Sequence, residues 1–286
     1  MHARAGHPAP TASRTSRQMT EVEVVRAASM SAIPWLVHGF STRCGGLSTV
    51  YGGSQGSGDL NLGFTEADER ENVVANRELF LKAALGDGRL PLVTARQVHS
   101  SIIRKVTVAD AAPDSGAAEA DGMLTGAAGI LLGIQTADCI PVLVADRRLQ
   151  AVAAFHAGWR GTVKRIVEEG VGMMRREFNS QADDLVAAIG PGIGQCCYEV
   201  GEEIRGEFTS QFSYAAALFR QGDECGKPYL DLVEANRRQL LNAGLSPGAI
   251  SVVGECTSCR TDRYFSYRAE GGFTGRMLSV IGIRPA

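Results

Sequence analysis

The chain has 286 residues, a formal net charge of −2 and a hydrophobic fraction of 44%. It is long enough for one large domain or two ordinary ones, and its charge argues against a general nucleic-acid binder. No stretch reaches the roughly 18 apolar residues of a membrane-spanning helix, which argues against a membrane partner. The seven cysteines form an odd count with no secretory signal before them, so we expect reduced thiols in a cytoplasmic protein.

The first residues differ in composition from the rest of the chain. Residues 1–19 contain three arginines and several Ser, Thr, Pro and Ala residues, and no acidic residue precedes Glu21. We expect residues 1–30 to form a disordered extension and residues 31–286 to form one folded domain. A translation start at Met19 or a mitochondrial transit peptide would fit the same composition.

Three apolar runs in the middle of the chain have the length and the branched residues of buried strands. They are bounded by polar residues, glycine or proline and cover residues 129–134, 141–145 and 151–155. Similar runs farther along predict strands at residues 185–189, 250–253 and 277–283.

Residues of metal-binding types fall within this apolar part of the chain: His99, Cys139 and His156. Cys139 lies in the connection between the first two predicted strands and His156 just past the third, where strand ends can aim side chains into one crevice. Two histidines and a cysteine, with a fourth position left to water, are the ligand count of a catalytic zinc. Their spacing matches no short zinc signature, so hydrogen-bonded histidines and a buried cysteine are the ordinary alternative. The Gly- and Ser-rich residues 52–58 predict a flexible loop that could border this site.

The segment at residues 155–161 carries a second signal. Gly158 and Gly161 would let the backbone approach a ligand, and Thr162 is a candidate N-cap for a helix that continues to Met174. The N-terminus of such a helix could face an anion. Alternatively, the glycines serve only the turn and Trp159 belongs to the core. A second helix is expected after Asp231, with Glu234 completing a capping box and Gly244 as its stop.

The remaining cysteines form one recognisable pattern. Cys256 and Cys259 have the C-x-x-C form, but the sequence shows no second pair that would make a zinc ribbon. We expect Cys196 and Cys197 to pack beside Tyr198. Cys44 and Cys225 belong to no motif.

Motifs in order from about His38 to Ile283 resemble one protein family, and they cover nearly all of the chain after its first 30 residues. The motifs are His38-Gly39-Phe40-Ser41-Thr42-Arg43-Cys44-Gly45-Gly46, Gln97-Val98-His99, Ala120-Asp121-Gly122, Thr136-Ala137-Asp138-Cys139, His156-Ala157-Gly158-Trp159-Arg160-Gly161, Cys197-Tyr198-Glu199-Val200 and Phe265-Ser266-Tyr267-Arg268. Together they look like the YfiH-type laccase-domain proteins. That family is variously called polyphenol oxidase, peptidoglycan editing factor and purine nucleoside phosphorylase.

The resemblance implies a single layered α/β domain, with mixed sheets packed with helices, and a zinc held by His99, Cys139 and His156. It also implies phosphorolysis of adenosine, inosine, guanosine and methylthioadenosine together with deamination of adenosine, so that the partners would be a nucleoside and phosphate. Related roles are removal of wrongly built peptidoglycan precursors and copper-dependent phenol oxidation, since Cys and imidazole also suit copper. Nucleoside, cell-wall precursor and phenol are all open as substrates at this stage, as is the oligomeric state.

The two nucleoside reactions need different groups. A zinc ion with an open position lowers the pKa of bound water, which would serve deamination. Phosphorolysis needs basic groups that place phosphate against the ribose C1′. Arg43, in a glycine-flanked loop, is the first candidate for that contact, followed by Arg160 and Arg268, although surface ion pairing is a common role of arginine. We therefore expect Arg43, Cys139 and His156 to be catalytic.

Cys139 and His156 also fit a different enzyme class. They could be the nucleophile and base of a thiol hydrolase or amidase that acts on a cell-wall precursor, with Asp138 or Asp121 orienting the imidazole. A non-catalytic interaction protein is a third alternative, which fits poorly with polar ligands among apolar strands. Metal analysis separates the three: a tightly held zinc supports the first, a metal-free active protein the second and a metal-free inactive protein the third.

Overall fold

The computed structural model describes residues 21–52, 58–86, 88–111, 118–222 and 226–285. Residues 1–20 of the expected extension, Cys225 and most of the predicted loop at residues 52–58 lie outside the described residues. The expected domain boundary at residue 31 is too late, because Val24–Val25 form a strand and Ala27 and Met30 are fully buried. Apolar side chains in an otherwise polar segment join the core, so the folded domain includes residues 24–30.

The described residues form fifteen strands and six helices. The strands are β1 (Val24–Val25), β2 (Leu36–Ser41), β3 (Cys44–Gly46), β4 (Gly58–Asp59), β5 (Leu92–Thr94), β6 (Ile103–Lys105), β7 (Gly122–Thr125), β8 (Leu131–Thr136), β9 (Ile140–Asp146), β10 (Ala151–Ala157), β11 (Leu185–Ile189), β12 (Phe219–Arg220), β13 (Tyr229–Leu230), β14 (Ile250–Val252) and β15 (Met277–Ile283). The helices are α1 (Ala28–Ser31), α2 (Arg70–Leu85), α3 (Trp159–Val163), α4 (Ile166–Phe178), α5 (Glu202–Gln211) and α6 (Leu232–Asn242). None of these helices is both long enough and apolar enough to cross a membrane.

Two large sheets stack face to face. One has five strands in the order β1-β2-β15-β8-β5, and the other has six in the order β14-β11-β9-β10-β7-β6. The apolar layer between them includes Phe40 and Ile281 from the first sheet and Leu143 and Val152 from the second. Both sheets mix parallel and antiparallel pairs. The α/β class with mixed sheets, expected from the resemblance, is confirmed.

Helices cover the outer face of each sheet. On the five-stranded sheet, α2 packs Phe80 and Ala84 against Leu278 and Val280 of β15. On the six-stranded sheet, α3 and α4 lie over β10 and α6 lies over β11. The molecule therefore has four layers, with helices outside and the two sheets inside.

The two-residue period of a strand explains how β10 serves two cores. Phe155 faces the helices and Val152 faces the other sheet. Gly170 of α4 lies so close to Phe155 that a Cβ there would be 2.2 Å from the ring. Apolar residues on both faces make the whole of β10 buried, which is why the sequence shows a continuous apolar run rather than an alternating one.

Most predicted elements are confirmed with shifted ends. The six apolar runs correspond to β8, β9, β10, β11, β14 and β15. His156 lies inside β10 rather than just past it. Asp231 is the N-cap of α6, because Glu234 N donates to Asp231 Oδ1 at 2.8 Å, and Gly244 after α6 has a φ of 98°. The predicted capping box is wrong in its second half, since Asp231 N donates to Leu218 O and the Glu234 carboxylate accepts from Arg237 and Arg238.

The helix expected to begin at Thr162 begins earlier and is broken. Gly158 is the N-cap of α3, and Thr162 lies buried within that helix, where Asn236 Nδ2 donates to its hydroxyl at 3.1 Å. Arg165, with a φ of 62°, separates α3 from α4. A left-handed residue cannot continue a right-handed helix, so the chain changes direction there. Trp159 is partly buried against the helical core.

Candidate metal centre

The strand topology brings the three predicted ligands to one edge of the sandwich. β5 and β8 are parallel neighbours, so the chain leaves both at the same edge and crosses there to the other sheet. His99 lies in the crossing from β5 to β6, and Cys139 lies in the crossing from β8 to β9. β10 runs antiparallel to β9 with His156 opposite Pro141, which places His156 beside Cys139. The predicted convergence of the three side chains is confirmed.

The ligating atoms are close enough to share one ion. One ligating atom from each of His99, Cys139 and His156 lies within 4.8 Å of the other two. Cys139 Sγ is 3.8 Å from His99 Nε2, and the two imidazole rings meet edge to face with centroids 4.8 Å apart. His99 is exposed, Cys139 is partly exposed and His156 is buried, so the cluster opens to solvent on the His99 side.

Asp121 holds two of the three ligands in place. Its carboxylate is fully buried and accepts hydrogen bonds from the backbone N–H groups of Val98, His99 and Ser100 at 3.2, 3.0 and 2.6 Å. His99 has a φ of 56°, an uncommon conformation that these bonds stabilise. Asp121 Oδ1 also lies 2.7 Å from His156 Nδ1. Because a carboxylate accepts, Nδ1 carries the proton and Nε2 is left free to bind a metal.

Charges and hydrogen bonds at the cluster shift the pKa values of Cys139, His156 and Asp121. Burial raises the pKa of Cys139, but the charge on His156 and hydrogen bonds from both histidines outweigh burial and lower it to about 6. Burial lowers the pKa of His156, but Cys139 and Asp121 overcome this effect and raise it to about 9. Burial also raises the pKa of Asp121, while hydrogen bonds from His156 and Ser100 hold it well below its usual range. Between about pH 6 and 9 the metal-free pair is therefore a thiolate and an imidazolium.

Asp138 supports the turn that carries Cys139. It has a φ of 87°, and its carboxylate accepts from Thr257 Oγ1 at 2.6 Å and from Arg268 N at 2.7 Å. Of the two aspartates considered for orienting the imidazole, the structure places Asp121 against His156 and Asp138 against this loop. Thr257 has no motif of its own in the sequence, and only the fold brings it here.

Gly158 keeps space open beside the ligands. A Cβ at this position would lie 3.0 Å from Cys139 Sγ and 3.2 Å from His99 Cδ2. The donor set, its close spacing and a carboxylate behind one histidine fit a first-row metal with three protein ligands and one open position.

Arg43 lies in a buried ion-pair network. Its Nε and Nη2 donate to Asp59 at 2.9 and 3.0 Å, and its Nη1 donates to Glu270 at 2.9 Å. Two backbone carbonyls accept further bonds, and the guanidinium lies 4.6 Å from the Phe265 ring centroid. Among the contacts of the described residues, none joins Arg43 to the three metal-binding side chains. Its contact with phosphate stays a prediction.

Arg160 and Arg268 lie near Tyr198 on the exposed side of the site. Burial and the charge of Cys139 raise the pKa of Tyr198 above its usual value, while Arg268 and Arg160 act in the opposite direction. The Arg268 guanidinium is 5.4 Å from the Tyr198 ring centroid, and that of Arg160 is 4.4 Å from the Trp159 ring. Arg268 Nη1 donates to Cys197 O at 3.4 Å, but both arginines are exposed, so their other donors are accessible to a small anion.

Comparison with known proteins gives consistent results. The family described as multi-copper polyphenol oxidoreductase laccase matches residues 37–284. The purine nucleoside phosphorylase YlmD of Geobacillus stearothermophilus is 37% identical over 255 residues, which cover 86% of this chain and 92% of the relative. The adenosine deaminase RL5, from an unknown prokaryotic organism, is 35% identical and covers 73% of this chain and 81% of its own length. The crystal structure of YlmD from Geobacillus stearothermophilus superposes with a TM-score of 0.80 at 35% identity, over 91% of this chain and 94% of that one.

Proposed function

The chain belongs to the multi-copper polyphenol oxidoreductase laccase family, and from that premise we propose that it is a zinc-dependent purine nucleoside phosphorylase that also deaminates adenosine. The names of its relatives support both activities, because they include purine nucleoside phosphorylases and an adenosine deaminase. The observation that carries the proposal is the convergence of His99, Cys139 and His156, with Asp121 fixing the tautomer of His156. Packing alone does not require three such ligating side chains to meet at one point with a buried carboxylate behind one of them.

Zinc is the metal that best fits the proposed reactions. The three side chains suit zinc and copper alike, but neither phosphorolysis nor deamination transfers electrons, so a metal without redox chemistry suffices. When bound, zinc would supply a Lewis acid with an open position. Asp121 would orient the His156 ring and hold its proton on Nδ1, so that Nε2 is unprotonated and can bind the metal. Gly158 would leave the space beside the ligands open.

The chain's own cationic groups would serve phosphorolysis. In that reaction a phosphate oxygen forms a bond to C1′ of the ribose while the bond from C1′ to the purine nitrogen breaks, and the purine leaves with the bonding electrons. Arg160 and Arg268 are exposed near the cluster and would hold phosphate against C1′. Arg43, whose donors are already engaged, would act by holding Asp59 and Glu270 in place. The alternative, a direct contact between Arg43 and phosphate, is tested with the variant Arg43→Lys.

Product analysis by chromatography tests the proposal. Holoenzyme incubated with adenosine and phosphate is expected to release adenine and ribose 1-phosphate, and without phosphate it is expected to form inosine. Arg160→Gln and Arg268→Gln are expected to raise the KM for phosphate several-fold with little change in deamination. Arg148→Gln is the matched control, because Arg148 lies in the turn after β9, at the opposite end of β10 from His156. Unchanged adenosine under both conditions would refute the proposed function.

A thiol hydrolase is the second candidate, and one observation favours it. Cys139, His156 and Asp121 form a chain of thiol, imidazole and carboxylate, the order of groups used by cysteine nucleophiles. Such an enzyme would act on an amide of a cell-wall precursor and would be active without metal. Copper-dependent phenol oxidation is a further alternative from the family description, and oxygen uptake with a phenol by the copper-loaded protein would reveal it. Full nucleoside activity that is lost on chelation and restored by zinc would exclude the thiol mechanism.

A further inference from the structure

A second group of metal-binding side chains shares no residue with the centre described above. The sulfur atoms of Cys196, Cys197, Cys256 and Cys259 all lie within 4.8 Å of one another. Cys259 Sγ is 3.5 Å from Cys196 Sγ and 3.3 Å from Cys197 Sγ. The sequence indicated packing for the first pair and no partner for the second. The fold brings the two pairs together across a separation of 63 residues between Cys196 and Cys259.

The distances between the sulfur atoms indicate what the group can hold. A disulfide has a sulfur–sulfur bond of about 2.05 Å, and all four cysteines are free. Around an ion with bonds of about 2.3 Å to sulfur, a regular tetrahedron separates the sulfurs by about 3.8 Å. The observed distances of 3.3 and 3.5 Å, with a maximum of 4.8 Å for the group, lie around that value. An iron–sulfur cluster also has to fit inorganic sulfide between its irons, so this compact group suits a single ion.

Both cysteine pairs lie on tight turns that leave room for the sulfurs. Cys197 N donates to Gly194 O at 3.0 Å in one turn, and Arg260 N donates to Cys256 O at 3.1 Å in the other. Gly194 N donates to Cys256 Sγ at 3.2 Å, a bond of the kind that orients a ligating thiolate. A Cβ at Gly194 would lie 3.2 Å from Cys196 Sγ and 3.1 Å from Cys256 Cβ. Glycine here lets the two turns approach each other.

We propose that Cys196, Cys197, Cys256 and Cys259 bind a second zinc ion with a structural role. Four thiolates would fill every coordination position, as in closed structural sites and unlike the three-ligand centre. The ion would join the loop at residues 190–198 to the loop at residues 253–260.

Both loops support the turn that carries Cys139. Ile193 N donates to Asp138 O at 2.7 Å in one case, and Thr257 Oγ1 donates to Asp138 Oδ1 at 2.6 Å in the other. The second ion therefore stabilises the backbone behind the first centre without taking part in its chemistry. Its presence does not depend on which reaction that centre catalyses.

Metal content tests this inference directly. The full-length protein is purified with a phosphine reductant, and zinc is measured by mass spectrometry against protein concentration. We expect two zinc ions per chain in the wild type and in the control Cys44→Ser, whose thiol belongs to neither group. We expect one ion in Cys259→Ser and one in Cys139→Ala. Cys259 is exposed, so its replacement by serine removes a ligand with little loss of packing, and Cys196→Ser provides a second exposed variant.

Cobalt substitution gives an independent readout. Cobalt bound by four thiolates shows strong thiolate-to-metal charge-transfer absorption, and we expect most of that absorption to disappear in Cys259→Ser and to remain in Cys139→Ala. A wild type with one zinc ion that survives both Cys259→Ser and Cys196→Ser would overturn the inference. Disulfides among the four cysteines, seen by intact mass in the reduced preparation, would also overturn it.

Discussion

Asp121→Asn is the most informative single change at the three-ligand centre, because one buried carboxylate supports both His99 and His156. Asparagine keeps the shape but removes the negative charge and presents an NH2 group to one set of donors. If its carbonyl oxygen keeps the Oδ1 bonds to His99 N and His156 Nδ1, the backbone N–H groups of Val98 and Ser100 lose their acceptor, while the Ser100 hydroxyl can rotate and accept from the new NH2 group.

The magnitude follows from those lost bonds. A buried donor left without an acceptor costs about 1–3 kcal/mol. The two N–H groups make part-buried bonds, so the lower end of that range applies to each, and the free energy of unfolding of the metal-free protein is expected to fall by roughly 2 kcal/mol. Metal affinity is expected to fall by about 10–100-fold, as for other changes behind a ligating histidine.

Two measurements check this prediction. Competition with a chromogenic chelator gives the affinity of the three-ligand centre, in a Cys259→Ser background that removes the proposed second ion. Denaturant unfolding of the metal-free protein gives the stability.

Asp68→Asn is the matched control for Asp121→Asn. Asp68 is also buried and accepts from Ser48 and Asn61, but it does not contact the centre. It should lower stability without lowering metal affinity. Metal affinity in Asp121→Asn equal to that of the wild type would refute the role assigned to Asp121.

The remaining predictions concern the three-ligand centre and Arg43. Cys139→Ala is expected to lose the metal of this centre and the activity while its far-ultraviolet circular dichroism stays native, and full metal retention would contradict the ligand assignment. Cys139 in the metal-free protein is expected to react with iodoacetamide with an apparent pKa of about 6, because its thiolate is stabilised in the folded state. Bound zinc should protect Cys139 from this reaction, and rapid alkylation of the zinc-loaded protein would favour the thiol hydrolase. The Cys139 thiolate stabilises the folded state at pH values above the pKa of this thiol in the unfolded chain, and this contribution is lost as the pH falls through about 6. The His156 imidazolium stabilises the folded state at pH values below the pKa of this imidazole in the unfolded chain, and this contribution is lost as the pH rises through about 9. Arg43→Lys is expected to lower the free energy of unfolding by about 1.5–3 kcal/mol for each charge-assisted bond lost, with the KM for phosphate unchanged; a raised KM with native stability would instead support a direct phosphate contact. Gly158→Ala is expected to weaken metal binding several-fold, since its Cβ would be 3.0 Å from Cys139 Sγ, and an unchanged affinity would show that the neighbouring side chains can give way.

The sequence determined the elements whose signals are local. Buried strands such as β9 and β10 appear as continuous apolar runs because both of their faces are covered, and α6 shows its N-cap directly at Asp231. Resemblance along the chain also identified the family, and with it the three side chains that converge at the centre. These features depend on neighbouring residues or on motif order, and both can be read in one dimension.

Only the tertiary structure decided which distant groups meet. Parallel pairing of β5 with β8, and antiparallel pairing of β9 with β10, set the edge where the ligands gather. The choice of Asp121 over Asp138 as the partner of His156, the burial of Arg43 against Asp59, and the meeting of the two cysteine pairs all follow from that topology. The physical reason is that strand pairing and layer packing fix these contacts, and neither is encoded in the spacing of the residues that they bring together.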